Sequence, residues 1–178
     1  MIELLVVITL IGVLSGIVTV VTVGMRNSAR NSVITFQLVE AKRGMQLLTL
    51  DTLAGPAGCA SVGTLDTEIT LNDPQSGLVY PPTVGSTGTD CAWSAGEVAA
   101  WDGPYVTRSL DPWGNPYWFD PDYYPRRDCP TDDPYPGTPV YRAIFSLGQN
   151  GVGGAPPWYS YDCDDVFLLL DPVDFSNL

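Results

Sequence analysis

The chain contains no histidine, and it has only eight Lys and Arg against 20 Asp and Glu, a net charge of −12 in 178 residues. Histidine is the usual general base and a common zinc ligand. Its absence therefore excludes Ser-His-Asp and Cys-His catalysis and histidine zinc sites. Binding to a phosphate backbone needs clustered Lys and Arg, so the charge balance argues against a nucleic-acid partner.

The first 50 residues lack proline, cysteine and tryptophan, and they carry four basic residues against two acidic ones. All 16 prolines, four cysteines and five tryptophans lie in residues 51–178, where 18 acids against four bases give a net charge of −14. This division predicts an apolar, mildly basic rod in residues 1–50. It predicts an acidic, loop-rich globular head in residues 51–178.

The rod begins with 22 uncharged residues, Leu4 to Met25, that are apolar on all sides of a helix. About 20 such residues cross a bilayer, and Arg26 and Arg30 follow as an interfacial anchor would, so the pattern predicts a transmembrane helix. A cleaved signal peptide is the alternative. It needs a basic start and a shorter apolar core, whereas this stretch is preceded by the acidic Glu3.

Helical spacing without proline continues from Asn27 to Leu50, and Asp51 with Gly55-Pro56 marks an end. We therefore expect one helix of about 50 residues, roughly 75 Å long. Its second half is predicted to be amphipathic and to pack on the head. The predicted apolar stripe consists of Ala29, Val33, Phe36, Ala41, Met45 and Leu48.

Glu3 is the single charge at the start of the apolar stretch. An acid inside a membrane is costly unless it is paired, which makes Glu3 a functional candidate. The alternative is that it lies at headgroup level and has no role.

The run Glu3-Leu4-Leu5-Val6-Val7-Ile8, followed by Gly12, resembles the N-terminal signature of type IV pilins and type II secretion pseudopilins. The resemblance implies leader cleavage by a peptidase, frequent methylation of the new N-terminus, and transfer of the helix from the inner membrane into a filament core. It also implies that Glu3 neutralises the N-terminal amine of a neighbouring subunit. The family's mature chain begins two residues earlier, and many relatives have proline where this chain has Val20.

The head opens with a stretch rich in Gly, Ser, Thr and Pro, for which we predict loops with one or two weak strands, in short apolar runs such as Glu68–Leu71 and Gly77–Tyr80. Its four cysteines allow three pairings. We favour Cys59–Cys91 with Cys129–Cys163, because these bonds staple two consecutive loop-rich regions. A Cys₄ zinc site is the alternative, but the chain has no C-x-x-C pair. Disulfides indicate an oxidising compartment.

Two turn motifs follow, Trp101-Asp102-Gly103-Pro104-Tyr105 and Asp111-Pro112-Trp113-Gly114-Asn115-Pro116-Tyr117. Their turn formers and aromatic anchors predict a tight turn that opens a strand at Tyr117–Phe119. The same run resembles the major pseudopilins of type II secretion. Together with the N-terminus, the resemblance covers residues 2–50, 100–119 and 141–166. It implies an α+β fold in which the long N-terminal helix packs on a small antiparallel sheet with long disulfide-bonded loops.

A predicted strand from Tyr141 runs into a glycine-rich loop, and a further strand is predicted at Val166–Leu170. Carbonyls and carboxylates are ligands that Ca²⁺ prefers, although acidic loops are usually only solvated. The resemblance implies a structural Ca²⁺ in this loop. This chain differs from the family pattern in two ways: an asparagine replaces one aspartate, and residues 155–161 are an insertion in the loop. Asp162 could supply the negative charge that the asparagine lacks. The implied ligands are the carbonyls of Leu147 and Val152 and the side chains of Asn150, Asp164 and Asp165.

These features favour a non-enzymatic structural subunit that polymerises into a helical filament, as the major pseudopilin of a type II secretion system. A major pilin of a type IV pilus is the alternative. The expected partners are other copies of the chain, the inner membrane before assembly, and minor pseudopilins with the secretion or pilus assembly machinery. The expected final location is periplasmic or extracellular. Two other function classes are possible. An enzyme with a catalytic acid pair would use residues among Asp120, Asp122, Asp132 and Asp133. A carbohydrate-binding module would stack sugars on Trp101, Trp113, Trp118 and Trp158.

Overall fold

The computed structural model describes residues 2–59, 68–86, 91–123, 141–153 and 164–172. The chain divides into two compact units, Met1–Val33 and Ile34–Leu178. The long helix predicted from the uninterrupted pattern is confirmed. In chain order, the helices and strands are α1 (Ile2–Thr52), β1 (Ile69–Thr70), β2 (Gly85–Ser86), β3 (Ala92–Trp93), α2 (Ala95–Ala100), β4 (Tyr117–Tyr123), β5 (Tyr141–Ser146) and β6 (Val166–Pro172).

The first unit consists of the N-terminal part of α1, and its described apolar side chains face outward. The membrane span predicted over residues 4–25 finds no support: among the described residues, no helix combines the length and hydropathy needed to cross a bilayer.

The second unit is built on a four-stranded antiparallel sheet in the order β1-β4-β5-β6. The strand register aligns Ile69, Phe119, Ile144 and Leu168 in one row across all four strands. Because side chains alternate along a strand, this row lies on one face of the sheet. Ile69, Phe119 and Ile144 belong to the main hydrophobic core, and the partly buried Leu168 packs against it. Residues of the opposite face form a smaller cluster around Tyr123 and Phe145.

The part of α1 from Ile34 onward packs in the main core and so covers this face of the sheet. Its buried side chains repeat at intervals of four and three residues, namely Ile34, Leu38, Ala41, Met45 and Leu48. The predicted stripe was right for its last three members. It was wrong for Ala29, Val33 and Phe36, which are exposed. Phe36 lies two residues, or 200° of helix rotation, from Ile34, so the two side chains face opposite ways.

Two close contacts hold α1 against the head. Gly44 faces the carbonyl oxygen of Tyr105, which lies 2.5 Å from the position that a Cβ on this glycine would take. The buried Tyr117 hydroxyl donates to the side-chain oxygen of Gln37. Burial, and secondarily the negative charge of Asp111, raise the pKa of Tyr117 well above its ordinary value, so the hydroxyl stays a donor.

The strands predicted after Tyr117, Tyr141 and Val166 are confirmed as β4, β5 and β6, and the weak strand near Ile69 is β1. The strand predicted at Gly77–Tyr80 was wrong. Instead, the carbonyl of Leu78 accepts the N–H groups of both Tyr105 and Val106, at 2.8 and 3.1 Å. This segment therefore bonds to the loop after α2 and does not join the sheet.

The predicted Cys59–Cys91 disulfide is present, and it joins the segment after α1 to the start of β3. Cys129 and Cys163, the other predicted pair, lie outside the described residues.

We expect the double variant Cys59→Ser/Cys91→Ser to lose about 3 kcal/mol of unfolding free energy, because the bond closes a loop between cysteines 32 residues apart and so restricts the unfolded chain. Denaturant unfolding of the variant and the wild type, both without reductant, measures the difference. The substitution is preferable to chemical reduction, which would act on every disulfide. A loss below about 1 kcal/mol would contradict a stabilising role for this bond.

Candidate functional site

A buried carboxylate ties the Asp111–Asn115 turn to the end of β5. Asp111 Oδ1 accepts the backbone N–H groups of Trp113 and Asn115, each at 2.9 Å. Its Oδ2 accepts the Ser146 hydroxyl at 2.7 Å and the Asn115 side-chain amide at 3.4 Å. Asp111 is only 6% exposed, so these donors replace the water that its charge would otherwise need.

The glycine loop, residues 147–153, begins where this network ends. The Ser146 hydroxyl accepts the N–H of Gly148 at 3.1 Å, and the Asn115 amide donates to the Gly148 carbonyl at 2.9 Å. Inside the loop, the Leu147 carbonyl accepts the N–H of Gly151 at 3.2 Å. The Asp111–Asn115 motif therefore fixes the first turn of the loop as well as opening β4.

Gly148 allows the chain before β6 to come close. It has a positive φ of 63°, and a Cβ there would collide with the backbone carbonyl of Asp164. Both facts restrict this position to glycine. As a result, the two ends of the loop connecting β5 to β6 meet directly.

Asn150 and Asp164 join these two ends. The backbone N–H of Asn150 donates to Asp164 Oδ2 at 2.9 Å, and its Nδ2 donates to Oδ1 at 2.8 Å. The Asn150 Oδ1 accepts the N–H of Val152 at 2.7 Å. We call this set of bonds the amide clamp, since the backbone and side-chain N–H groups of one asparagine hold the two oxygens of one carboxylate.

The described donor set does not fit the Ca²⁺ that the family resemblance implies. The Asn150 side chain turns N–H groups, not an oxygen, toward Asp164, and a cation placed between them would face these donors. Asp165 is half-buried beside Asp164, and Asp162 lies outside the described residues. Within the described part of the chain, no cluster of three or more Asp, Glu, Cys or His could hold a metal. Calcium in this loop therefore stays a prediction of the family resemblance.

Replacing Asn150 with aspartate should make the loop depend on a cation. The variant sets a second carboxylate against Asp164 and removes the Nδ2 donor, which we expect to cost about 1–2 kcal/mol in chelator. Added Ca²⁺ should restore the stability of the variant by bridging the two carboxylates. We expect thermal unfolding of the wild type to be unchanged between Ca²⁺ and chelator. Equal stabilisation of both proteins by Ca²⁺ would show that the amide clamp does not replace the ion.

Glu3, the predicted assembly residue, lies in the first turn of α1 with an exposed side chain. It belongs to the first compact unit, whereas the glycine loop belongs to the second. The predicted site residues thus form two separate sets. The exposed apolar side chains of α1 directly follow Glu3 in the chain.

The structure also describes several of the residues that were candidates for an acid-pair enzyme or a carbohydrate-binding module. Trp101 and Trp113 pack against the main core, and Trp118 packs against the smaller cluster. Trp158, Asp132 and Asp133 lie outside the described residues. Asp120 is a buried residue of β4.

No protein-family model matches the chain, and no curated protein matches it either. Among solved structures, it is similar to the major pseudopilin from the type 2 secretion system of enterohaemorrhagic Escherichia coli. The identity is 21% over 81% of this chain and 86% of that one, with a TM-score of 0.42. The motifs in residues 2–50 and 100–119 resemble the same family.

Sequence reasoning missed the roles of Asp111, Asn115 and Ser146. The turn itself was predicted from its Asp-Pro and Gly-Asn-Pro pairs. The hydrogen bond from Ser146 to Asp111 joins residues 35 positions apart, and no local pattern reports such a contact. The one sequence signal for a buried carboxylate was the position of Asp111, a single acid in a run of proline and aromatic residues.

Proposed function

We propose that this chain is a structural subunit that polymerises into a helical filament through the first turns of α1. The observation that carries the proposal is the apolar surface of this segment. Eight Leu, Ile and Val side chains between Leu4 and Leu14 are each 51–73% exposed in the single chain. So much contiguous apolar surface is unfavourable in water and marks a surface that another molecule covers.

The distribution of this surface favours many copies over one partner. A helix that binds one partner is apolar along one stripe, but these eight side chains spread over about 220° of the helix circumference. Several neighbouring helices are needed to cover them. Identical subunits that pack head to tail without closing into a ring build an open helical polymer, which supplies such neighbours.

The finer assignment is the major pseudopilin of a type II secretion system, with minor pseudopilins and the secretion machinery as partners. It is supported by the Glu3–Ile8 and Asp111–Tyr117 motifs. The Cys59–Cys91 disulfide supports an oxidising location, which the periplasm or the cell exterior provides. We assign no catalytic role, since the chain has no histidine and the described tryptophans Trp101, Trp113 and Trp118 serve packing.

A major pilin of a type IV pilus is the second candidate, favoured by the disulfide-bonded loop of the head. Negative-stain microscopy of cells and of sheared material separates the two. Long surface fibres at native expression would support the pilin. Their absence, with filaments appearing only on overexpression, would support the pseudopilin.

The polymer itself is tested with the purified full-length chain in detergent. On removal of the detergent we expect filaments of uniform width by electron microscopy. Ile11→Asp places a charge on the apolar surface and should abolish them. Asn72→Asp adds the same charge at an exposed position of the head and should not. Closed rings, or monomers under all conditions, would contradict the proposal.

A further inference from the structure

The part of α1 in the second unit, from Ile34 to Thr52, carries two stripes of side chains. The buried stripe of Ile34, Leu38, Ala41, Met45 and Leu48 faces the sheet. A second stripe, shifted by two residues at every position, lies on the opposite side of the helix. This outer stripe consists of Phe36, Glu40, Arg43, Leu47 and Leu50.

The outer stripe is more apolar than a solvated helix face. Phe36 is 59% exposed, Leu47 53% and Leu50 74%. A helix that packed only on its own head would carry polar side chains at these positions. This composition is typical of a helix that packs on its own sheet on one side and on another molecule on the other side.

A groove of about 230 Å³ opens beside this stripe, between α1 and the segment Tyr105–Arg108. Arg43 and Arg108 line it, with Glu40 as the one acid. Among the described residues, neither arginine has an ion pair or a hydrogen-bond partner. This is unexpected in a chain with 20 acids and eight bases. Since no described carboxylate pairs with Arg43 or Arg108, the groove offers two positive charges to a carboxylate of another molecule.

We propose that the outer stripe and its groove form a docking surface for the acidic head of a second copy of this chain. Carboxylates of the second copy bind Arg43 and Arg108, and its apolar side chains cover Phe36, Leu47 and Leu50. Charge complementarity selects this occupant, because residues 51–178 hold 18 acids against four bases. The inference rests on the proposed filament, in which every subunit presents such a head to its neighbours.

The test measures the concentration of full-length chain above which filaments form after detergent removal. The double variant Arg43→Glu/Arg108→Glu replaces attraction by repulsion and should raise this concentration at least about tenfold. Arg43→Lys/Arg108→Lys keeps the charge and should stay near the wild type. Thermal unfolding of each variant in detergent should be unchanged, since neither side chain has a described intramolecular partner.

A photoreactive amino acid in place of Leu47 identifies the occupant. We expect an adduct of two copies of this chain. An adduct with a different protein, or none in assembled filaments, would overturn the inference. If the double glutamate variant assembles like the wild type, the docking surface is wrong and the proposed filament stands. If the wild type does not assemble, the proposed function fails, and this inference fails with it.

Discussion

Replacing Glu3 with alanine should abolish filament assembly and leave the head folded. Glu3 is the only charge before the uncharged stretch of residues 4–25, so covering that stretch with neighbouring helices brings the carboxylate into an apolar interior. A buried carboxylate needs a partner, and the family resemblance implies the N-terminal amine of the next subunit. Removing one member of a buried pair costs about 3–5 kcal/mol, because the other is left uncompensated.

The polymer amplifies this loss, since every subunit contact carries it. At about 1.4 kcal/mol per factor of ten, the concentration needed for assembly should rise at least about a hundredfold. Sedimentation and electron microscopy after detergent removal measure this concentration, and denaturant unfolding in detergent checks the head. Asp51→Asn removes the same charge from the last turn of the same helix, outside the outer stripe, and keeps an acceptor for the Tyr105 hydroxyl, so it should assemble normally. Normal filaments from Glu3→Ala would refute the amine-pairing role.

Replacing Asp111 with alanine should cost about 4 kcal/mol of folding stability, the largest loss that we expect in the head. The buried carboxylate accepts four hydrogen bonds, and its removal leaves the N–H groups of Trp113 and Asn115 and the Ser146 hydroxyl without their acceptor. Each buried donor left unsatisfied costs about 1–3 kcal/mol. The turn, the end of β5 and the glycine loop should loosen together.

Asp73 provides a matched control for this prediction. It also lies in a turn next to proline, but it is partly exposed, and among the described residues its carboxylate accepts one hydrogen bond, from the N–H of Gln75 at 2.8 Å. Asp73→Ala should cost about 1 kcal/mol, as the loss of a capping residue does. Denaturant unfolding compares the two variants. Equal losses would show that the Asp111 network does not hold the loop.

The long helix and the three long strands of the sheet could be predicted because each follows from a local pattern. No proline interrupts residues 2–52, and turn formers precede β4. The buried face of α1 was harder to predict, since apolar side chains occur on both sides of the helix. Hydrophobic spacing alone cannot tell the side that packs on the sheet from the side bearing Phe36. The buried side of α1 is the one that packs on the sheet face formed by the row from Ile69 to Leu168.

Two other features show where local reasoning stopped. The short helix α2 was not predicted, although Ser94 and Glu97 form a capping box, with reciprocal bonds of 3.3 and 2.7 Å. That spacing is a readable start signal for a helix. The amide clamp could not be predicted, because residue types at 150 and 164 show oxygens available to an ion but not which way an amide turns.

The central claim, self-assembly through the first turns of α1, is tested most directly by a photoreactive amino acid in place of Leu10. In assembled material, illumination should give a ladder of adducts at successive multiples of the monomer mass, because each helix touches several identical neighbours. The same substitution combined with Glu3→Ala should give only monomer. A single adduct with an unrelated protein, or a dimer with no larger species, would contradict the filament.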